Sequence, residues 1–167
     1  MLNTILRNDT YCFSQLGTFL ERADNTARIL DVKYYVLLPS VGLVGTPIDT
    51  LQWAAMLRSV SAHRSYRWVY KENYKPGNIA EFMILNPHMP RSLRSCYSEI
   101  VTALEALDKI YGARHSCQTL AAETSTRLDR STVSAIFAAG LHEFLLAFIA
   151  GNAVLAGEVA HAYNFNG

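Results

Sequence analysis

Apolar residues recur at steps of three and four from Phe13 to Leu37: Phe13, Leu16, Leu20, Ala23, Ala27, Leu30, Tyr34 and Leu37. That is the spacing of one stripe on an α-helix. It predicts a first helix from Asp9 or Thr10 to Leu38, stopped by Pro39. The stretch VKYYVLL at 32–38 has the composition of a strand, but it continues the stripe in phase and reads as helix. Beside the stripe, Glu21, Asp24, Arg28 and Asp31 recur at the same steps. They form a charged shoulder in which Asp24–Arg28 and Arg28–Asp31 can pair. Arg22 projects about 100° away from Glu21 on a regular helix. The adjacent Glu-Arg pair therefore cannot face itself, and each member needs its own partner, in solvent or on another helix.

The pattern continues as helices. PSVGLVGTP reads as a loop whose Val41, Leu43 and Val44 tuck against the bundle. Thr46 is an N-cap candidate, Pro47 suits the first helical position, and Asp49 completes a capping-box-like start. Trp53, Met56, Leu57 and Val60, with Arg64 and Trp68, continue one face of this second helix, which fades at Tyr70 to Asn73. Asn78 and Glu81 cap a short third helix, Ile79 to Leu85, ended by Asn86-Pro87. Pro90 opens a fourth, with Leu93, Tyr97, Ile100, Leu104, Leu107 and Tyr111 inward and Gly112 as its stop. A fifth runs from Ser116 to Leu128, facing Cys117, Leu120, Ala121, Thr124 and Leu128 inward. Ser131 caps the last segment, Val133 to Ala160, with Gly140 and Gly151 as bends or close contacts and Gly140-Leu141 dividing a short helix from a long one. The expectation is one all-α domain over 1–167, an antiparallel bundle of five to six helices.

Composition sharpens this picture. The chain has 167 residues, half of them apolar, and only 17% charged, against roughly 25% in an average domain. So few charges imply that much helix surface is covered by the chain or by a partner, which points to a homo-oligomer, a dimer. Net charge is +1, from 15 basic and 14 acidic residues, and does not call for nucleic acid. The densest basic stretch, Arg58 to Lys75, alternates Arg64, Arg67 and Lys71 with Tyr66, Trp68, Tyr70 and Tyr74. On a helix this mixture reads as arginine stems lying over apolar surface. Cys12, Cys96 and Cys117 form no disulfide framework and no metal spacing, which implies a reducing, cytoplasmic setting. MLNTILRNDT lacks a signal-peptide core. The apolar run Phe144 to Ala156 is too short to span a bilayer, so no membrane contact is expected and the run reads as a buried core helix.

Candidate chemistry is sparse. His63, His88, His115, His142 and His161 show no metal-ligand spacing, and no metal or cofactor is implied. His142 reads as a half-buried or interface histidine and Cys96 as an inert core thiol. NPHMPRSLRSCYSE has more character: two prolines stiffen it, and Ser92 and the free amides after Pro90 make a helix start suited to an anion. Arg91 and Arg94 lie three apart there, and pairing of Glu21 or Asp24 with Arg91 or Arg94 is a testable docking of the charged shoulder. If Glu21 is buried and paired, its removal strands a charge at a cost of several kcal/mol; if it is exposed, stability hardly changes.

FLERADNTARILDVKYYVLLP resembles the signature of the alpha-E domain family, bacterial all-helical proteins named for a Glu-Arg motif. WAAMLRSVSAHRSYRWVY, EFMILNPHMPRSLRSCYSEI and AAGLHEFLLAFIAGNAVLAGEVAHAY resemble the same family in the same order. The likeness is to its C-terminal half, and the chain is half the length usual for such proteins. The resemblance implies that Glu21, Arg22, Asn25, Thr26 and Arg28 matter, with Pro90, Arg91 and Ser92 as a second cluster. It also implies a homodimer with the Glu21/Arg22 helices near the interface, standing in for the missing half. Such proteins commonly accompany an ATP-grasp-like ligase and a transglutaminase-like protease. The function implied is therefore that of an accessory or scaffolding protein of a peptide-modification system. The alternative is an enzyme or ligand-binding protein using Glu21 with Arg22 and Arg28, and Arg91, on an anionic or peptide-like substrate. A closed, dry core around Glu21 would favour pure structure, a solvent-reaching pocket lined by Glu21 and two arginines would favour chemistry, and an exposed apolar patch elsewhere would favour docking.

Overall fold

The computed structural model describes residues 8–36, 46–71 and 73–165, apart from the side chains of 35 and 36. Among them the chain is all-α. The elements are α1 (Asp9–Asp31), a π-helical turn (Val32–Val36), α2 (Pro47–Ser59), α3 (His63–Tyr70), α4 (Pro76–Ile84), α5 (Leu93–Tyr111), α6 (Ser116–Arg130), α7 (Val133–Ala139) and α8 (Leu141–Ala162).

α1 is the central element, with α5 and α8 packed along it. Its stripe folds inward as expected: Leu16, Ala23, Ala27 and Leu30 are buried, joined by Cys12, Phe19 and Thr26. Polar ties pin its length to both neighbours. Asp9 Oδ2 accepts from Tyr111 Oη of α5 at 2.9 Å. Leu20 O accepts from Asn152 Nδ2 of α8 at 3.0 Å, and Asn152 Oδ1 accepts from Tyr97 Oη of α5 at 3.1 Å. Asp31 Oδ1 lies 2.6 Å from His142 Nδ1 of α8. Asn8 caps the start through the Tyr11 amide.

Several expectations are corrected. The second helix is two, broken at Val60–Ala62, where Ser61 takes a positive φ of 55°. The break turns Arg64 and Trp68 into solvent rather than along the Trp53 face. Thr46 does cap α2, accepting from the Asp49 amide, but the Asp49 carboxylate is buried against Lys33. α4 begins at Pro76, three residues before the expected start, so Asn78 does not cap it. α5 begins at Leu93, and Pro90 lies in the turn before it. Thr132, accepting from Ala135 N, caps α7, while Ser131 ends α6. Gly140 divides α7 from α8 at φ 99°, a backbone conformation that suits glycine, whereas Gly151 is exposed within an unbroken helix and neither bends it nor meets a neighbour. The end of the first helix and the whole of PSVGLVG fall outside the described residues.

The largest correction concerns α8. It is not a buried core helix: only Leu141, Leu145, Phe148, Asn152, Leu155 and Val159 are buried. It runs for 22 residues, so by length and composition alone it is long and apolar enough to cross a membrane, which the apolar run by itself was not.

Candidate functional site

The two clusters singled out in the sequence meet where α1 crosses the turn before α5. Thr26, buried, donates from Oγ1 to Arg91 O at 2.9 Å. Small Ala23 and Ala27 on either side bring the two backbones this close. Ser92, buried, closes the turn from within: its Oγ donates to Asn86 O at 2.6 Å and accepts from Ser95 N at 3.0 Å. The helix start expected to suit an anion is thus already capped by its own hydroxyl. Pro90 is exposed, and its carbonyl oxygen lies 3.7 Å from Cys96 Sγ.

The motif residues divide by face. Glu21, Asn25 and Arg28 lie on the outer side of α1, exposed. Arg28 Nε donates to Asp24 Oδ2 at 2.6 Å, the helix pair expected from spacing. Its other expected partner, Asp31, turns to His142 instead. Glu21 and Asn25 make no side-chain hydrogen bond among the described residues. Arg22 is half-buried, its guanidinium 5.1 Å from the centre of the Phe19 ring.

Asp24 and Arg94 do not meet: Arg94 Nε donates to Asp129 Oδ1 at 2.6 Å on α6. The docking of α1 on this turn therefore runs through the Thr26 hydroxyl and not through the charged shoulder. Beneath the crossing lies Cys96. Burial pushes its thiol up to about 12, against the pull of the Arg22 and Arg91 guanidinium groups nearby. Arg22 and Arg91 are half-buried, and neither makes an ion pair among the described residues.

Sequence reasoning missed two features. The first is Lys33 in the π-helical turn, 1% exposed, with Nζ 2.8 Å from both Asp49 Oδ1 and Gln52 Oε1 and 4.4 Å from the Trp53 ring centre. π-Turns often mark sites where a helix serves more than packing. The second is the face of α3. Trp68 is 90% exposed beside Val69, at the edge of an open groove of about 390 Å³ lined also by Arg64, Phe82 and Met89. Arg67 and Lys71 flank it. Burial, then the Arg58 and Arg67 charges, hold His63 below its ordinary pKa. Among the described residues no group of three metal-ligating side chains comes together.

Neither the curated proteins nor the solved structures include a match to this chain. A family model does match, over residues 1–163 of 167, and is described as a predicted alpha-helical domain with a conserved ER motif. This chain has an adjacent Glu-Arg pair at Glu21 and Arg22, on α1. On a match covering nearly the whole sequence and on an all-helical fold, the chain belongs to the Alpha-E family.

Proposed function

We propose that this chain is an accessory helical protein that docks onto an enzyme of a peptide-modification system, with an ATP-grasp-like peptide ligase as the partner class and a transglutaminase-like protein as a second. The partner class comes from the family resemblance. The observation that carries the docking reading is Trp68, a large apolar side chain left 90% exposed over an open apolar groove. Trp is enriched among residues that anchor protein interfaces, and exposing one alone sacrifices burial free energy unless a partner covers it. Arg64 and Arg67 beside it favour an acidic partner surface. Three buried free cysteines are consistent with action in the cytoplasm.

The test is titration calorimetry with a co-expressed ATP-grasp-like ligase against wild type, Trp68→Ala and Arg22→Gln. Docking through the groove predicts that Trp68→Ala loses at least tenfold in affinity while its melting temperature holds. Equal affinity for wild type and Trp68→Ala would remove this reading.

A second reading has its own support. Arg22 and Arg91, half-buried and in no ion pair among the described residues, suit a phosphate or carboxylate. Saturable binding of inorganic phosphate, lost in both Arg22→Gln and Arg91→Gln, would favour an anion-binding protein over a docking module. Arg28, already paired with Asp24, would not belong to that site.

A further inference from the structure

At one end of the bundle, rings from four parts of the chain meet around an open groove of about 490 Å³, a size within the range of small-ligand sites. Phe13 comes from α1, Tyr111 from the end of α5, His115 from the residue before α6, and Tyr163 and Phe165 from just past α8. Phe13 is the shared wall: its ring centre lies 5.0 Å from Tyr163 and 4.9 Å from Phe165, at interplanar angles of 74° and 89°. Tyr111 is inclined at 51° to Phe13 and at 53° to Tyr163, and His115 meets Tyr163 at 71°. The core cluster of Tyr66, Tyr70 and Tyr74 is built differently, with Tyr66 at 25° and 19° to its neighbours, so those rings cover one another's faces. Rings set at steep angles leave faces uncovered, as the walls of a box do. Among the described residues the lining of the groove carries one carboxylate, Asp9, and no lysine or arginine. Arg114, close by in the chain, is turned to Asp108 at 3.5 Å.

We propose that this groove binds a methylated ammonium head group, with the Phe13, Tyr111, Tyr163 and Phe165 rings as its cage and Asp9 as its counter-charge. The face of an aromatic ring is electron-rich and attracts a cation laid against it. A quaternary ammonium carries its charge on methyl groups and has no N–H to satisfy, so ring faces suit it better than they suit a primary amine. Asp9 fits the same division: Oδ1 already accepts from the Thr10 amide at 2.8 Å and Oδ2 from Tyr111 Oη at 2.9 Å, so the carboxylate serves as a fixed charge rather than as a free acceptor. α5 and α8 both end at the groove, and the carbonyl ends of two helices add negative potential where a cation sits. α1 begins there, and Asp9 in its first turn offsets the positive end of that helix. The walls are held before any ligand arrives. Buried Gln118 accepts from the His115 amide at 2.8 Å through Oε1, and its Nε2 donates to Tyr163 Oη at 3.2 Å. Tyr111 is held by its bond to Asp9. A cage set in place this way loses little ordering free energy on binding. The site is independent of the Trp68 groove and of the docking reading.

The experiment is an NMR titration of the whole chain with choline, with N-acetyl-trimethyllysine amide, and with the uncharged carbon isostere of choline, in which a tert-butyl group replaces the trimethylammonium. Ionic strength is held constant with sodium chloride. Both cations are expected to saturate and to shift ring signals of Phe13 and Tyr163, and the isostere to bind at least fivefold more weakly than choline. Tighter binding of trimethyllysine than of choline would assign the head group to a modified peptide, and the reverse order to a free or lipid-borne choline. Phe165→Ala and Asp9→Asn, both at the surface, are expected to keep the far-UV circular dichroism of a folded helical protein and to weaken choline binding at least threefold each. Trp68→Ala is expected to bind choline as wild type does. An isostere that binds as tightly as choline would show an apolar groove with no preference for charge, and would overturn the proposal. So would cations that fail to saturate, or Phe165→Ala and Asp9→Asn proteins that bind choline unchanged.

Discussion

Removing one member of the Lys33–Asp49 pair should be among the most damaging single changes in this chain. Both side chains are almost wholly out of solvent, at 1% and 3% exposed, and 2.8 Å apart. At an effective dielectric of 20, two unit charges at that distance attract by about 6 kcal/mol. Desolvating each ion costs several kcal/mol, so the intact pair is close to balanced against an apolar replacement. Asp49→Asn removes the attraction and leaves the Lys33 ammonium buried against Gln52 and the Trp53 ring. The expected loss is about 3–5 kcal/mol. For a domain of this size that lowers the melting temperature by roughly 6–20 °C. Lys33→Met removes the same attraction from the other side and should also destabilise. The double variant Lys33→Met/Asp49→Leu strands neither and should return to within about 2 kcal/mol of wild type. Urea denaturation of all four proteins closes the cycle. If Asp49→Asn costs under about 1 kcal/mol, or if the two single losses simply add, the charges are not desolvated as the geometry states.

Other groups give narrower expectations. Asn152→Leu breaks the link from Leu20 O to Tyr97 Oη and leaves the buried Tyr97 hydroxyl without its acceptor, while Leu20 O keeps its helical bond; urea denaturation should show a loss of about 1–3 kcal/mol, part of it recovered when Tyr97→Phe is added. The Cys96 thiol, pushed up to about 12 by burial, stays protonated at pH 8, so native protein should label there with iodoacetamide at least tenfold more slowly than unfolded protein, as mass spectrometry of tryptic peptides would show. Asp9 is held below its ordinary pKa of 3.8, chiefly by the hydrogen bond from Tyr111. Its contribution is full above the unfolded value and lost as pH falls through the lowered folded one. The stability gap between wild type and Tyr111→Phe should therefore be constant near pH 6 and close below pH 3.8.

What was legible in the sequence was periodicity, and what was not was the direction of individual polar groups. The stripe of α1, the Thr46 cap, the Gly112 stop and the Gly140 division all follow from spacing and local backbone chemistry, and each is in place. Lys33 lies three residues after buried Leu30, so the same spacing sets it on the inner face; its charge argued the other way, and only Asp49, far along the chain, resolves the conflict. The break between α2 and α3 rests on Ser61 at positive φ, which no glycine or proline announces. α8 was misread because an apolar helix with glycines has the composition of a core element. Burial depends on how many neighbours surround a helix, and among the described residues α8 is buried along one side.

The residues around the Glu-Arg pair follow the same division, into those the fold uses and those it leaves exposed. Thr26 is buried and donates at 2.9 Å to Arg91 O in the turn before α5. Thr26→Val keeps the shape and removes the donor, so a part-buried carbonyl loses its partner, at a cost of about 1–2 kcal/mol. The melting temperature should fall by roughly 2–8 °C. Glu21→Gln touches an exposed group with no hydrogen bond among the described residues, and should stay within about 0.5 kcal/mol of wild type. Arg22→Gln gives up a guanidinium over the Phe19 ring, worth about 0.5–1 kcal/mol. Thermal melts of the three variants order them Thr26, Arg22, Glu21. A Glu21→Gln protein that unfolds earlier than Thr26→Val would mean that Glu21 serves the fold. The order above instead leaves Glu21, which the fold does not use, free for whatever lands on this face of α1.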